Sequence, residues 1–280
     1  MSAQIEEIHP GAKPLAHGED SAISAYGLAD RPDERQDWSM PPRLPSLVDP
    51  PILFAHRGAR AHVAENTIEA FSLAVTLGAT GLESDVWVTS DGVAVLDHDG
   101  VVGPFLRRRP IAETARQDLP SHIPSLAQLY DVCGTEIPLS LDIKDANALD
   151  AVLLAASDAG DSARERLWLC HPDWQRLAEW RKKTDGIRLV DSTRLTKIKE
   201  GPERRAAQLS NAGVDAINLH FSDWTGGLTT LFHRFSLNTL GWDAQHERMI
   251  RELVHMGIDG LYSDHVNRMV NVARSDGLMS

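Results

Sequence analysis

Three short pieces of this chain concentrate side chains that can move protons or hold charge: His56-Arg57, Glu83-Ser84-Asp85 and His98. Ile52 to Ala55 reads ILFA, a continuous apolar run of strand length, so His56 and Arg57 stand at the C-terminal mouth of a buried strand. Gly58 follows, where a missing Cβ lets the backbone turn sharply or a ligand come close. Leu82 to Val88 alternates, so Glu83, Asp85 and Trp87 share one face of a second strand. Two carboxylates on one face repel each other. A cation between them is the simplest remedy, and oxygen ligands at i and i+2 suit a hard ion such as Mg²⁺ or Ca²⁺. Ser90-Asp91-Gly92 is a hairpin signal, after which Val93 to Leu96 returns and delivers His98. Farther on, Asp142 and Lys144 lie two residues apart in a strand-like run and share a face in the same way.

These residues need a frame. Asn66 with Glu69 has the spacing of a capping box that opens a helix from about Thr67 to Leu77, with Gly78 as its stop. An irregular stretch runs from Asp99 to His122, followed by a helix over Ser125 to Cys133. Strand-like segments then recur at Ile137 to Ile143, Leu167 to Cys170, Ile187 to Val190, Ala216 to Leu219, Ser236 to Leu240 and Gly260 to Tyr262. Helix-like segments fill the gaps: Asn147 to Ala159, Trp174 to Lys183, Pro202 to Ala212, Gly227 to Phe232 and Asp243 to Met256. Eight strands joined by crossover helices predict an α/β fold, a (β/α)8 TIM barrel over residues 51–272 with a short tail at 273–280. Residues 1–50 hold seven of the fifteen prolines and show no sustained period, which predicts a disordered or loosely draped acidic extension. Trp38 and Leu44-Pro45-Ser46-Leu47 suggest the alternative that residues 38–50 form an arm packed across the barrel floor. In such barrels chemistry gathers where strands end in their βα loops. His56, Arg57, Glu83, Asp85, Asp142 and Lys144 all fall at or near the ends of the first three barrel strands, whereas Ile187 to Thr196 carries no evident chemistry.

The order His-Arg, Glu-x-Asp, His resembles the signature of the glycerophosphodiester phosphodiesterase family, whose barrel is of the phospholipase C-like phosphodiesterase type. The resemblance extends over roughly residues 52–265. Ala64-Glu65-Asn66-Thr67 is similar to the family's Pro-Glu-Asn-Thr, Ile123-Pro124-Ser125-Leu126 to its Ile-Pro-Thr-Leu, and Leu141-Asp142-Ile143-Lys144 to its Leu-Glu-Ile-Lys. Gly257-Ile258-Asp259-Gly260 with Asp264 resembles its last strand. The resemblance implies a metal-dependent phosphoric diester hydrolase of lipid metabolism that cleaves glycerophosphodiesters to glycerol phosphate and an alcohol. It implies that Glu83, Asp85 and Asp142 hold the divalent ion, and that a Lewis acid there polarises a phosphoryl oxygen. Arg57 would offer a planar fork and Lys144 a point charge to the phosphate. His56 and His98 would be general acid and base, in either order. Trp242 matches a family tryptophan and would wall the alcohol moiety, although Asp243-Ala244-Gln245 replaces what usually follows. Asp142 is one methylene shorter than the family's glutamate. His171, Asn218 and His220 are further candidates at strand ends.

Composition narrows the field. A net charge of −12 argues against nucleic acid and anionic lipid as partners. No apolar run reaches the ~18 residues of a membrane span. MSAQIEEIHP lacks the basic and apolar regions of a secretory signal, and Cys133 and Cys170 allow one bridge at most, which together predict a cytoplasmic protein with reduced thiols. The expected partner is a small glycerophosphodiester or lysolipid; metal identity and oligomeric state stay open. A second class, the phospholipase D-like barrels that act on lysolipid or sphingolipid phosphodiesters and form cyclic phosphates, shares the two histidines and the Asp-x-Lys strand, but not the Glu-Asn-Thr helix start. Taken singly, His56 or His98 is an ordinary histidine, Arg57 a surface charge, Trp242 a core aromatic and Asp142 with Lys144 an ion pair. Their convergence at matching strand ends favours one site.

Overall fold

The computed structural model describes residues 42–104 and 107–279. Barrel strands β1 (Ile52–Ala55) and β2 (Gly81–Val88) are joined through α1 (Ile68–Thr76). A turn at Thr89 to Val93 sends the chain back as β3 (Ala94–Leu96), antiparallel to β2 with Val86 opposite Leu96. Within the irregular stretch lie a two-residue antiparallel pair, β4 (Val101–Val102) and β5 (Arg109–Pro110), and two 3₁₀ turns. After α2 (Leu126–Cys133) the βα units repeat: β6 (Leu139–Ile143), α3 (Ala148–Ala159), α4 (Asp161–Glu165), β7 (Leu167–His171), α5 (Trp174–Arg181), β8 (Arg188–Ser192) and α6 (Pro202–Asn211). They continue with β9 (Ala216–His220), α7 (Gly226–His233), β10 (Asn238–Trp242), α8 (Glu247–His255), β11 (Gly260–Ser263) and α9 (Val266–Ser275).

Parallel pairing runs β1-β11-β10-β9-β8-β7-β6-β2 and returns from β2 to β1, closing an eight-stranded barrel with helices in the crossovers. Two layers of apolar side chains make this closure favourable. Outside the strands, a continuous core packs Leu53, Leu82, Leu141 and Leu169 against Phe71, Leu177 and Leu253 of the helices. Inside, Phe54, Trp168, Val190, Leu240 and Tyr262 fill the barrel, with Phe54 and Tyr262 stacked at 4.7 Å. Ser140, from β6, reaches the Tyr262 hydroxyl at 3.1 Å and the Cys170 thiol at 3.3 Å, so this interior plug ends upward in polar atoms.

Several boundaries differ from expectation. The strands β7, β8, β9 and β10 each run one or two residues past their apolar stretch, to His171, Ser192, His220 and Trp242. The helix expected from Asp243 starts only at Glu247, because Asp243 takes a left-handed backbone (φ 65°). Thr67, not Asn66, caps α1 and accepts from the Ala70 amide at 3.1 Å; Asn66 is left-handed (φ 54°), buried, and accepts from the Ser84 hydroxyl at 2.8 Å. The full capping box sits instead at Ser125 and Gln128, opening α2. The tail expected from residue 273 begins inside α9. Of the N-terminal extension, residues 1–41, including Trp38, lie outside the described residues. Residues 42–50 run along the N-terminal ends of the strands: the Leu44 amide donates to the His255 carbonyl, and the Leu47 and Val48 amides donate to Asp259, just below β11. Asp259 is fully buried and also accepts from the Thr239 amide, the Thr239 hydroxyl and His233.

Candidate active site

A cavity of about 610 Å³ opens at the C-terminal ends of the barrel strands. His56, Arg57, Glu83, Asp85, Asp142 and Lys144 line one side of it. Their placement follows from strand register: Asp85 and Asp142 are Cα partners across β2 and β6, and Glu83 is paired with Ser140 one pleat below. Side chains two apart on a strand face the same way, so Glu83 and Asp85 point into the barrel while Ser84 points back to Asn66 behind it.

Arg57 is the hub of this side. Its backbone is left-handed (φ 53°), a conformation that costs a residue with a Cβ about 1–3 kcal/mol and persists only where the surroundings hold it. Here the turned amide donates to Glu83 Oε2 at 2.9 Å. The guanidinium reaches Glu65 Oε1 at 2.9 Å through Nη1 and lies 3.0 Å from Asp85 Oδ2 through Nε. Gly58 makes the turn possible: its φ is +77°, and a Cβ there would fall 2.7 Å from the Ala70 carbonyl carbon. Lys144 Nζ lies 3.0 Å from Asp85 Oδ1 and 2.5 Å from Asp142 Oδ2. Burial disfavours charge on Lys144, but Asp142 and Asp85 outweigh it and raise its pKa well above the usual lysine value.

His56 sits between two acids, with Nδ1 2.6 Å from Asp264 Oδ1 and Nε2 3.8 Å from Glu83 Oε2. Because an ionised carboxylate only accepts, Asp264 fixes a proton on Nδ1 and leaves Nε2 facing the cavity side. Burial opposes charging this ring; the Glu83 charge and the Asp264 hydrogen bond outweigh it and hold its pKa above the ordinary histidine value. Glu83 is driven far above the carboxylate range, chiefly by burial, with His56 opposing and Asp85 adding to the rise.

The remaining expected residues fall less uniformly. Trp242 lines the cavity from the end of β10. His98 does not line it: it stands beyond β3, its side chain 43% exposed, with Nδ1 2.9 Å from Asp99. His171 faces away as well, its Nδ1 accepting from the Asp173 amide and its ring against Trp180. Asn218 lines the cavity, and His220 packs against Trp242 with Nε2 3.1 Å from Asp243. Four further charged residues, Asp264, Glu65, Arg194 and Lys197, stand at or beside this site without a role that the sequence alone shows. The first two were legible only as parts of motifs, and the last two lie in a loop without a motif.

A sequence model described as the glycerophosphoryl diester phosphodiesterase family matches residues 56–268. The chain belongs to this family. Its members are phosphoric diester hydrolases, and the matched span holds every cavity residue named above. A glycerophosphodiester phosphodiesterase from Caldanaerobacter subterraneus is 22% identical over 249 residues, covering 81% of this chain and 99% of that protein. Among solved structures, the glycerophosphodiester phosphodiesterase of Thermotoga maritima superposes with a TM-score of 0.70 at 22% identity, over 79% of this chain and 98% of that one. An Oleispira antarctica phosphodiesterase, solved with the product sn-glycerol-3-phosphate, superposes with a TM-score of 0.70 at 18% identity, over 80% and 97%. These two likenesses establish the shared barrel. No helix among the described residues is long and apolar enough to cross a membrane.

The donor set suits the divalent ion that the family implies. Glu83, Asp85 and Asp142 are oxygen donors on adjacent strands around one cavity, and buried Asp85 Oδ2 has only an ion-pair contact with Arg57 Nε at 3.0 Å that lacks hydrogen-bond geometry. The expected trio is nevertheless not gathered: among the described residues no three acid, histidine or cysteine side chains converge as a ready ligand set. Arg57 and Lys144 lie against both Asp85 oxygens instead, so ion and basic side chains compete for the same carboxylate.

Proposed function

We propose that this chain is a divalent-metal-dependent phosphodiesterase that hydrolyses a glycerophosphodiester to glycerol phosphate and an alcohol. The observation that carries the reading is that His56, Arg57, Glu83, Asp85, Asp142 and Lys144 line one side of a single cavity at the barrel's catalytic end, in a family of phosphodiesterases. The product bound to the Oleispira protein is of the matching chemistry.

A phosphodiester is an anion with a poor alkoxide leaving group, so hydrolysis needs positive charge on the non-bridging oxygens and a proton for the departing oxygen. Arg57 and Lys144 supply the first, the guanidinium as a planar fork and the ammonium as a point charge. Each reaches the phosphate by giving up its hold on Asp85. When a divalent ion is bound by Glu83, Asp85 and Asp142, it adds Lewis-acid polarisation of a phosphoryl oxygen. His56 moves a proton through Nε2 while Asp264 steadies the imidazole through Nδ1. His98 is the second proton-transfer group, and it serves by turning its ring from Asp99 towards the mouth. Trp242 offers an apolar wall to the alcohol or glycerol carbons.

Glu83→Gln and Asp85→Asn, assayed on glycerophosphodiesters by phosphorus NMR, should each lose at least about 10²-fold in turnover while keeping the thermal midpoint of a folded barrel. Dialysis against chelator should do the same, reversed by Mg²⁺ or Ca²⁺. Folded variants with full activity refute the assignment. A cyclic phosphate as the end product moves it to the phospholipase D-like class.

A further inference from the structure

The cavity has a second side, which the hydrolytic step does not use. Around the barrel β8 stands opposite β1, so the loop after β8 faces His56 and Arg57 across the mouth. The end of β8 and that loop bring Ser192, Thr193, Arg194 and Lys197 to the cavity wall. In a chain of net charge −12, two cations converge here, and the acid of their own loop, Glu200, does not line the cavity but is held by Arg205 at 2.7 Å. Arg194 is anchored: Nε lies 2.8 Å from Asp223 Oδ2, and its guanidinium carbon stands 5.6 Å from the centre of the Trp242 ring. Lys197 is exposed, and among the described residues no carboxylate pairs with its ammonium. The other acid on this wall, Asp243, is engaged by His220 at 3.1 Å and by the Gln245 amide at 3.1 Å. Beside these cations Asn218 is only 6% exposed; its amide nitrogen donates to Ser192 Oγ at 3.2 Å, while its Oδ1, buried in the cavity wall, has no donor. A buried acceptor left unpaired costs about 1–3 kcal/mol, which a ligand hydroxyl removes.

We propose that this side selects substrates whose alcohol is a polyol bearing a second anionic group, with the anion against Lys197 and Arg194 and a hydroxyl donating to Asn218. The inference rests on the hydrolytic reading above and names the substrate class of the same cavity. The glycerol half of a glycerophosphodiester is uncharged, so a second charge can only be on the alcohol. A choline-like cation is the opposite case: the face of Trp242 that would receive it already carries the Arg194 guanidinium, and Lys197 repels it.

The test compares glycerophosphoinositol 4-phosphate, glycerophosphoinositol and glycerophosphocholine with the metal-loaded full chain. The phosphorylated substrate should have the highest kcat/KM, by about tenfold over glycerophosphoinositol, and the ratio should shrink as salt rises. Lys197→Met should bring the ratio close to one, and Lys197→Arg should restore it. Equal kcat/KM for the two inositol substrates, a preference for glycerophosphocholine, or a Lys197→Met ratio equal to that of wild type overturns this inference while leaving the hydrolytic reading intact. Failure to hydrolyse any of the three, in protein that binds the metal, overturns both.

Discussion

Replacing Asp259 by alanine separates the end of the barrel that holds it together from the end that performs chemistry. The carboxylate is fully buried beneath β11 and accepts five contacts: the Leu47 and Val48 amides on Oδ1, and the Thr239 amide, the Thr239 hydroxyl and His233 on Oδ2. It thereby ties residues 42–50, β10 and α7 to one point. On truncation the Leu47 and Val48 amides can turn to water, because their segment lies at the surface, and the Thr239 hydroxyl can keep His233, 3.1 Å away. The Thr239 amide, on a fully buried residue, cannot be rehydrated and costs about 1–3 kcal/mol, while loss of the charge-assisted bonds to the arm adds a similar amount. The expected total of about 2–6 kcal/mol lowers the melting temperature by about 4–24 °C in a domain of this size. At 25 °C kcat/KM should equal that of wild type, since the site lies at the other end of the strands. Burial works against ionising Asp259, but the His233 and Thr239 hydrogen bonds outweigh it and hold the group below the ordinary aspartate pKa. A depressed carboxylate stabilises above its unfolded pKa of about 3.9 and ceases to do so as pH falls through the folded value, so the deficit of the variant should narrow below about pH 4. Thermal unfolding followed by circular dichroism at pH 7 and in acid decides the matter; a deficit under about 1 kcal/mol at pH 7 refutes the reasoning.

Gly58→Ala forces a Cβ 2.7 Å from the Ala70 backbone at a φ of +77°, and should cost about 2–4 kcal/mol and displace the turn that carries Arg57, lowering both melting temperature and turnover. Arg205→Ala strips the buried Asp191 of the guanidinium 3.0 Å away and should cost about 3–5 kcal/mol, whereas Asp191→Leu combined with Arg205→Met should recover most of it in urea unfolding. Burial pushes Asp191 up to about 7 even against Arg205. A raised carboxylate favours the fold below its unfolded pKa and loses that contribution as pH rises through the folded value, so Arg205→Ala should be weaker at pH 8 than at pH 5. A deficit independent of pH would show that removing Arg205 leaves the charge of Asp191 unchanged.

The barrel was legible because strands buried on both faces read as short apolar runs, as at Ile52 to Ala55 and Leu167 to Cys170. The same cue set the strand ends too early. His171, Ser192, His220 and Trp242 continue the ladder although they are polar or half-exposed, because the last residue of a barrel strand borders the open mouth. α9 was missed because its apolar positions, Val266, Met269, Val270 and Ala273, are interleaved with asparagine and arginine. The charged side of the cavity followed from motif spacing, since Glu83, Asp85, Asp142 and Lys144 depend on two neighbouring strands. Asp264 and Lys197 did not, because each becomes a cavity or first-contact residue only through closure of the whole ring, which brings residue 264 to residue 56 and the loop after β8 opposite β1. His98 shows the limit of motif spacing: its position on the chain was clear, but its ring is turned to Asp99.

The seams of the ring bear on how a growing chain acquires activity. β1 is matched residue for residue with β11 over four positions, yet meets β2 over only two, and β11 meets β10 over only two. The first barrel strand emerging from a ribosome thus has its main partner more than two hundred residues downstream, so the ring cannot close until β11 is available. Since the residues just beyond β1 are His56 and Arg57, and the carboxylate that steadies His56 follows β11, the nascent protein holds only half a reaction centre until its C-terminal strand is made. Chains cut short before that strand should be inert however well their middle strands fold.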